Sequence, residues 1–321
     1  MIRGYSYKPE DLVFYGIDGE QEQGQAPYYF GVELEVDNLS DRDEFDYKLQ
    51  QDGYKEIYLK EDGSLSYAGV EIVSYPMTRN AHEEYDWQGI FDWVEHYGGK
   101  SHNTTTCGLH IHISKTAFES ADHKAIFIAL YEKFKKEFRI LLRRKDHKRK
   151  EWAKDYSEAY YNEFGQMIEK VDNGWVNMLK EEFFPFAHDG KYASNFLKRK
   201  VAMNIKPEKT LEFRGFKGTT KRSSFIACIQ LLDEMVKYTK GIQIIEDCEF
   251  SDFLNYIMKG TGENAELIQY IFEMIERAKR RGEITKEVRK GYLNEEVEEP
   301  EPEQENVDSV DSGDIQFNFV E

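Results

Sequence analysis

The chain has 321 residues, of which 40% are hydrophobic and 14% aromatic; that is ample apolar material for a sizeable core and rules out wholesale disorder. Its formal net charge is −18, but −11 of this lies between Asn294 and Glu321, where no Lys or Arg occurs; the remaining −7 does not favour nucleic acid, whose phosphates need a positive surface. Three cysteines without a CxxC pair, no apolar signal-like start and no run of roughly 18 apolar residues exclude a disulfide scaffold, a secretory leader and a membrane helix, so a cytoplasmic protein that binds no membrane is expected.

Residues 1–27 read as an irregular lead-in ending in DGEQEQGQAP. YYFGVELEVD (28–37) alternates aromatic or branched residues with charged ones, the signature of a strand. Residues 55–75 predict a strand, a turn at Asp62-Gly63 and a second strand, GVEIVSYP, stopped at Pro76. Trp87, Ile90, Phe91 and Val94 have helical spacing within 80–97, and CGLHIHIS (107–114) alternates as a strand. A long helix is expected over 116–147, its basic end RRKDHKRK (143–150) reading as a solvated terminus whose cations complement the helix dipole, in preference to a contact for an anionic substrate or ATP phosphates. More helix is expected at 155–182. KVAMNI (200–205) and TLEFRGF (210–216) look like paired strands, and 223–292 is helical in pattern. The tail, 294–321, is acidic and reads as disordered. Strands interspersed with helices and joined as hairpin-like pairs indicate an α+β fold with a largely antiparallel sheet.

Three of these strands carry polar pairs at i and i+2: Glu33 with Glu35, His110 with His112, and Glu212 with Arg214. A fourth carries Glu71. Residues two apart on a strand share a sheet face, so each pair projects from one surface while Val32, Leu34, Leu109, Ile111, Leu211 and Phe213 face the other. Taken singly, each pair could be no more than a polar sheet face or a weak ion pair. Collected on one face, several carboxylates repel each other, and a divalent cation relieves that repulsion. Oxygen ligands with an occasional imidazole suit Mg²⁺ or Mn²⁺. No GxxxxGK[ST] or GxGxxG loop is present, so a nucleotide would need another kind of site.

In order along the chain, FGVELEVD, DGSL (62–65), GVEIVSYP, CGLHIHIS and TLEFRGFKGT resemble the motifs of the glutamine synthetase and glutamate–cysteine ligase superfamily. The spacing is similar to its amidoligase branch, found largely in phages and mobile elements. The resemblance covers residues 28–240, which it marks as the catalytic domain, with 241–293 as a helical extension. It implies a glutamine synthetase-like fold, in which a curved sheet has helices on its outer face. It implies Glu33, Glu35, Glu71, His110 and Glu212 as metal ligands, Arg214 and His112 as catalytic groups, and His112, Ser114, Asp62, Ser64 and Asn204 as nucleotide or substrate contacts. ATP and Mg²⁺, or Mn²⁺, are the implied cofactors. The implied reaction joins a carboxylate to an amine, on an amino acid, peptide or protein, through an acyl phosphate. Two alternatives stand beside it: a metal-dependent phosphohydrolase or phosphotransferase, and a non-catalytic interaction protein that keeps the fold.

Overall fold

The computed structural model describes residues 1–284 apart from 103, 105, 186–197 and 261. Segments rich in branched and aromatic residues form strands β1 (Phe14–Gly16), β2 (Gly19–Gln21), β3 (Phe30–Val36), β4 (Ile57–Lys60), β5 (Val70–Ser74), β6 (Gly108–Ser114), β7 (Met203–Asn204) and β8 (Thr210–Lys217). Six of them make one sheet in the order β4–β5–β3–β6–β8–β7, with every neighbouring pair antiparallel. The protein is therefore α+β, with helices packed on an antiparallel sheet.

The apolar face of that sheet is sealed. Val32, Leu34, Leu109, Ile111, Leu211 and Phe213 are all at most 1% exposed, and they join one core with Phe127, Trp87 and Phe225 from the helices Ala121–Lys133, Trp87–His96 and Arg222–Lys240. The helices Phe250–Lys259 and Ala265–Arg280 contribute Phe253, Leu254, Ile271 and Met274 to the same core. Buried Arg79 ties these layers together: its guanidinium bonds Asp233, Glu234 and Asn264, each at 2.8–2.9 Å. No helix among the described residues is long and apolar enough to cross a membrane.

Several expected helices are subdivided. The 80–97 stretch is two helices, Arg79–Glu84 and Trp87–His96, because Tyr85 turns extended and Asp86 caps the second with its carboxylate on the Gly89 N–H. The 116–147 stretch breaks into Ala121–Lys133 and Lys135–Leu142, then stops at Arg143, which adopts the left-handed conformation (φ 59°). A short helix, Asp146–Trp152, follows. The basic run 143–150 is thus not a solvated helix end. Arg149 is buried in a forked pair with Glu158 (2.6 and 2.7 Å) and a bond to Asp155 (3.0 Å). The lead-in is not wholly irregular either: β1 and β2 form a hairpin, and Phe14 packs on Tyr29 at 4.8 Å. The expected strand over 200–205 narrows to the two residues of β7. The acidic tail, 294–321, lies outside the described residues.

Candidate active site

Antiparallel register brings the polar pairs into three rungs on the face away from the core. Lys60, Glu71 and Glu35 stand opposite one another across β4, β5 and β3. Glu33 faces His110 across β3 and β6. His112, Glu212 and Asn204 form the third rung across β6, β8 and β7. Directly opposed side chains in such a ladder lie close enough to interact strongly, so one register fixes the whole constellation. Arg214, two residues after Glu212, shares its face, and a bulge begins there: two residues, Arg214 and Gly215, stand between Phe213 and Phe216, where β6 supplies only His110.

Glu35, Glu71, His110, Asn204, Glu212 and Arg214 are buried, Lys60, Glu33 and His112 half-buried, and all are arranged around shared charges. His110 Nδ1 lies 3.6 Å from Glu33 and 3.9 Å from Glu212, and His112 Nε2 lies 3.5 Å from Glu33. Arg214 pairs with Glu212, which also accepts from the Asn204 amide at 2.7 Å. Lys60 Nζ sits 2.9 Å from Glu71, and Glu35 accepts the Gly108 N–H at 2.5 Å. Burial would raise Glu33, but the imidazoles of His112 and His110 hold its carboxyl well below the usual range. Glu212 is likewise lowered: burial opposes ionisation, and Arg214 with the two imidazoles overcomes it. Glu35 and Glu71 go the other way. Burial is the main cause for both, and Glu33 adds to it at Glu71, which is pushed up to about 8 against the pull of Lys60. Burial lowers the His112 imidazole, but Glu33 prevails and raises it.

Among the described residues, three overlapping groups could each hold a metal ion: Glu33–Glu71–His110, Glu33–His112–Glu212 and Glu35–Asp62–Glu71. Within each, one ligand atom per residue lies within 4.8 Å of the others. The ring nitrogens supply an independent sign. Both nitrogens of buried His110, and Nε2 of His112, have no hydrogen-bond partner. A buried donor or acceptor left this way is expensive, and a cation removes that expense at an acceptor nitrogen. The donor set therefore fits a hard divalent ion of the Mg²⁺ or Mn²⁺ kind.

The structure brings Glu33, Glu35, Glu71, His110, His112, Glu212, Arg214 and Asn204 together on one face. Asp62 and His112, read from sequence as nucleotide or substrate contacts, stand inside metal-capable groups. Ser64 supports Asp62 through its N–H (2.7 Å) and hydroxyl (2.5 Å). Ser114 is set apart from these groups: it ends β6 with its hydroxyl on the Tyr29 carbonyl, at 3.1 Å. Sequence reasoning missed Lys60, which was within reach, since Tyr58 and Lys60 alternate with Ile57 and Leu59. The run 143–150, read also as a contact for an anion, includes Arg144 but does not single it out, because Arg144 follows a helix stop that no periodicity marks. Cys107, just before β6, has its thiol pushed up to about 11 by burial and stays protonated, as a small structural residue would.

The fold and this face define a carboxylate–imidazole centre on a helix-backed antiparallel sheet. Residues 41–236, more than half of the chain, match the family described as "Putative amidoligase enzyme", and the chain belongs to that family. The match starts after β3, so Glu33 and Glu35 enter the site from a strand preceding it. No curated protein matches the chain.

Proposed function

We propose that the protein is an ATP-dependent carboxylate–amine ligase built on a glutamine synthetase-like catalytic sheet and working with Mg²⁺ or Mn²⁺. The observation that carries this reading is the convergence of five carboxylates, two imidazoles and Arg214 on one buried face of an amidoligase-family chain. Glu33, Glu35, Asp62, Glu71, His110, His112 and Glu212 would hold the ions. Bound there, the ions would neutralise phosphate oxygens and orient the nucleotide.

The chemistry balances in two steps. A substrate carboxylate oxygen attacks the γ-phosphorus of ATP, forming an acyl–phosphate bond and releasing ADP. An amine nitrogen then attacks the acyl carbon, phosphate departs and the nitrogen loses a proton. Arg214 would stabilise charge on the transferred phosphoryl group, and its pair with Glu212 fixes one edge of its guanidinium. Asn204 fixes the Glu212 carboxylate, and Lys60 keeps Glu71 paired until a cation takes its place.

The test is phosphate release from Mg-ATP by purified protein, with and without a pool of carboxylates and amines. Release that requires pool and metal together, and falls at least about 100-fold in Glu33→Gln and His110→Ala, is expected. The same two variants should lose Mn²⁺ affinity by about tenfold or more in calorimetry. Metal-dependent release indifferent to the pool would replace the ligase with a phosphohydrolase.

A further inference from the structure

The first residues of the chain lie outside the family match at 41–236, yet they are placed against the candidate centre. Arg3 pairs parallel to Lys60: its N–H donates to the Leu59 carbonyl at 2.8 Å, and its carbonyl accepts from the Glu61 N–H at 2.9 Å. β4 is an edge of the sheet, so Arg3 takes up backbone groups that an edge leaves unpaired. The chain then turns over 4–7, with the Tyr7 N–H on the Gly4 carbonyl at 2.9 Å. Tyr5, within the turn, accepts from Arg199 Nη1 at 3.2 Å. Arg199 belongs to the stretch leading into β7, the opposite edge of the sheet.

Further contacts put the turn over the polar face and not beside it. Tyr7 meets the Tyr58 ring edge-on, with centroids 5.4 Å apart. Tyr58 stands opposite Val73, and Val73 opposite Glu33, so Tyr58 shares the face of Glu33. Burial, then Glu33 and Glu71, push the Tyr58 hydroxyl up. Tyr5 in turn lines a cavity of about 220 Å³ together with Glu35, Asp62, Trp152 and Arg214. Its bond most of all, and then Glu212 and Glu33, hold the Arg199 guanidinium above its ordinary value against burial.

The two ends of this segment are held unequally. Arg3 has two backbone bonds, and its guanidinium lies 4.8 Å from the centre of the Tyr7 ring. Tyr5 is 52% exposed and Arg199 is exposed, so the bond between them competes with water. Gly4 separates the firm end from the weak one. A Cβ built there meets nothing within 4 Å, so the backbone is free to rotate at that point. The turn can therefore open, freeing the Tyr7 N–H and lifting Tyr5, while Arg3 stays paired.

We propose that residues 3–7 form a lid over the metal-capable face, hinged at Gly4 and latched by Tyr5 on Arg199. Opening admits ions and substrates, and closing shuts out water. The proposal rests on the ligase reading only for what is protected: an acyl phosphate reacts with water, and a closed lid leaves the amine as its acceptor. Hinge and latch do not depend on that chemistry.

The test is amide hydrogen exchange on the full chain, resolved to single residues, comparing the parent with Tyr5→Phe. That variant removes only an exposed hydroxyl, so it keeps the fold. The Tyr7 N–H is expected to exchange about fivefold faster, the factor that one hydrogen bond of ordinary net strength supplies. The N–H groups of Arg3 and Glu61 should be unchanged. In parallel, protein loaded with Mn²⁺ is mixed with excess EDTA and metal release is followed by Trp fluorescence. Release should quicken by about the same factor in Tyr5→Phe, with the Mn²⁺ affinity in calorimetry unchanged, because a gate speeds entry and exit alike. Unchanged exchange at Tyr7 would remove the latch, and equal acceleration at Tyr7, Arg3 and Glu61 would remove the hinge; either overturns the proposal. Faster exchange without faster Mn²⁺ release overturns it too, since the turn would then open without covering the face. A chain that binds no Mn²⁺ leaves nothing to gate, and both the lid and the metal-dependent ligase would fall. If exchange and release behave as expected but no ATP is consumed, the lid stands and the ligase reading falls.

Discussion

His82 and His110 are both buried, and their surroundings separate a structural histidine from a site histidine. His82 donates from Nε2 to the Phe30 carbonyl at 3.1 Å and stacks on Trp87, and no carboxylate approaches it. Burial pushes its imidazole down to about 4. The folded state therefore holds it neutral while the unfolded chain takes up a proton near its ordinary value of about 6.5. Stability is unaffected above that pH, is lost as pH falls from about 6.5 to about 4, and levels off below. Between pH 7 and 5 the loss from this one group is about 2 kcal/mol. Urea unfolding at the two pH values should show a drop smaller by that amount in His82→Gln, which keeps a donor for Phe30. An equal drop in both proteins would mean His82 protonates freely. The HxH spacing made His110 and His112 conspicuous in the sequence, whereas nothing told His82 apart from surface histidines, because its partner is a backbone carbonyl 52 residues away.

Among the elements, strands were easier to read than helices, and β8 shows why. Period-two alternation placed Glu212 and Arg214 on one face, and the sheet keeps them there. The bulge that follows, which returns Phe216 to the core face opposite Leu109, was invisible, since it depends on β6 supplying one residue where β8 supplies two. Helical periodicity likewise marked apolar positions without marking where Asp86 or Arg143 interrupts them. Gly215 tests the bulge. A Cβ there would lie 2.8 Å from Phe213 Cζ and 2.9 Å from Leu142 Cδ1, so Gly215→Ala overpacks the junction between β8 and the helix Lys135–Leu142. A loss of about 1–3 kcal/mol is expected. Because Arg214 is its neighbour, activity should fall further than stability alone explains, measured at a temperature where the variant is fully folded. A variant as stable and active as the parent would show that the bulge has room to relax.

At the scale of the whole molecule, the question is how much of the chain the site needs. The family match ends at 236, and the motifs carrying the site end with β8. The core does not end there. Phe250, Phe253, Leu254, Ile257, Leu267, Tyr270, Ile271, Met274 and Ile275 are all at most 8% exposed, and all belong to the cluster that backs the sheet. Tyr270 also donates to the Leu141 carbonyl at 2.5 Å, and Lys133 bonds the carbonyls of Ile245, Glu246 and Cys248. At about 1.5–3 kcal/mol for each large apolar side chain, the gross burial of these nine is on the order of, or above, the roughly 5–15 kcal/mol net by which a whole domain is stable. A chain ended after Gly241 keeps every proposed ligand and is nevertheless expected to lose cooperative unfolding in urea and Mn²⁺ binding in calorimetry. A chain ended after Ile284 keeps these nine side chains and sheds the eleven acidic residues of 294–321, and it should retain both. Cooperative unfolding of the shorter chain would mean that the sheet and the helices up to Lys240 are self-sufficient. Loss of both properties from the longer chain would move the boundary of the folded unit beyond Ile284.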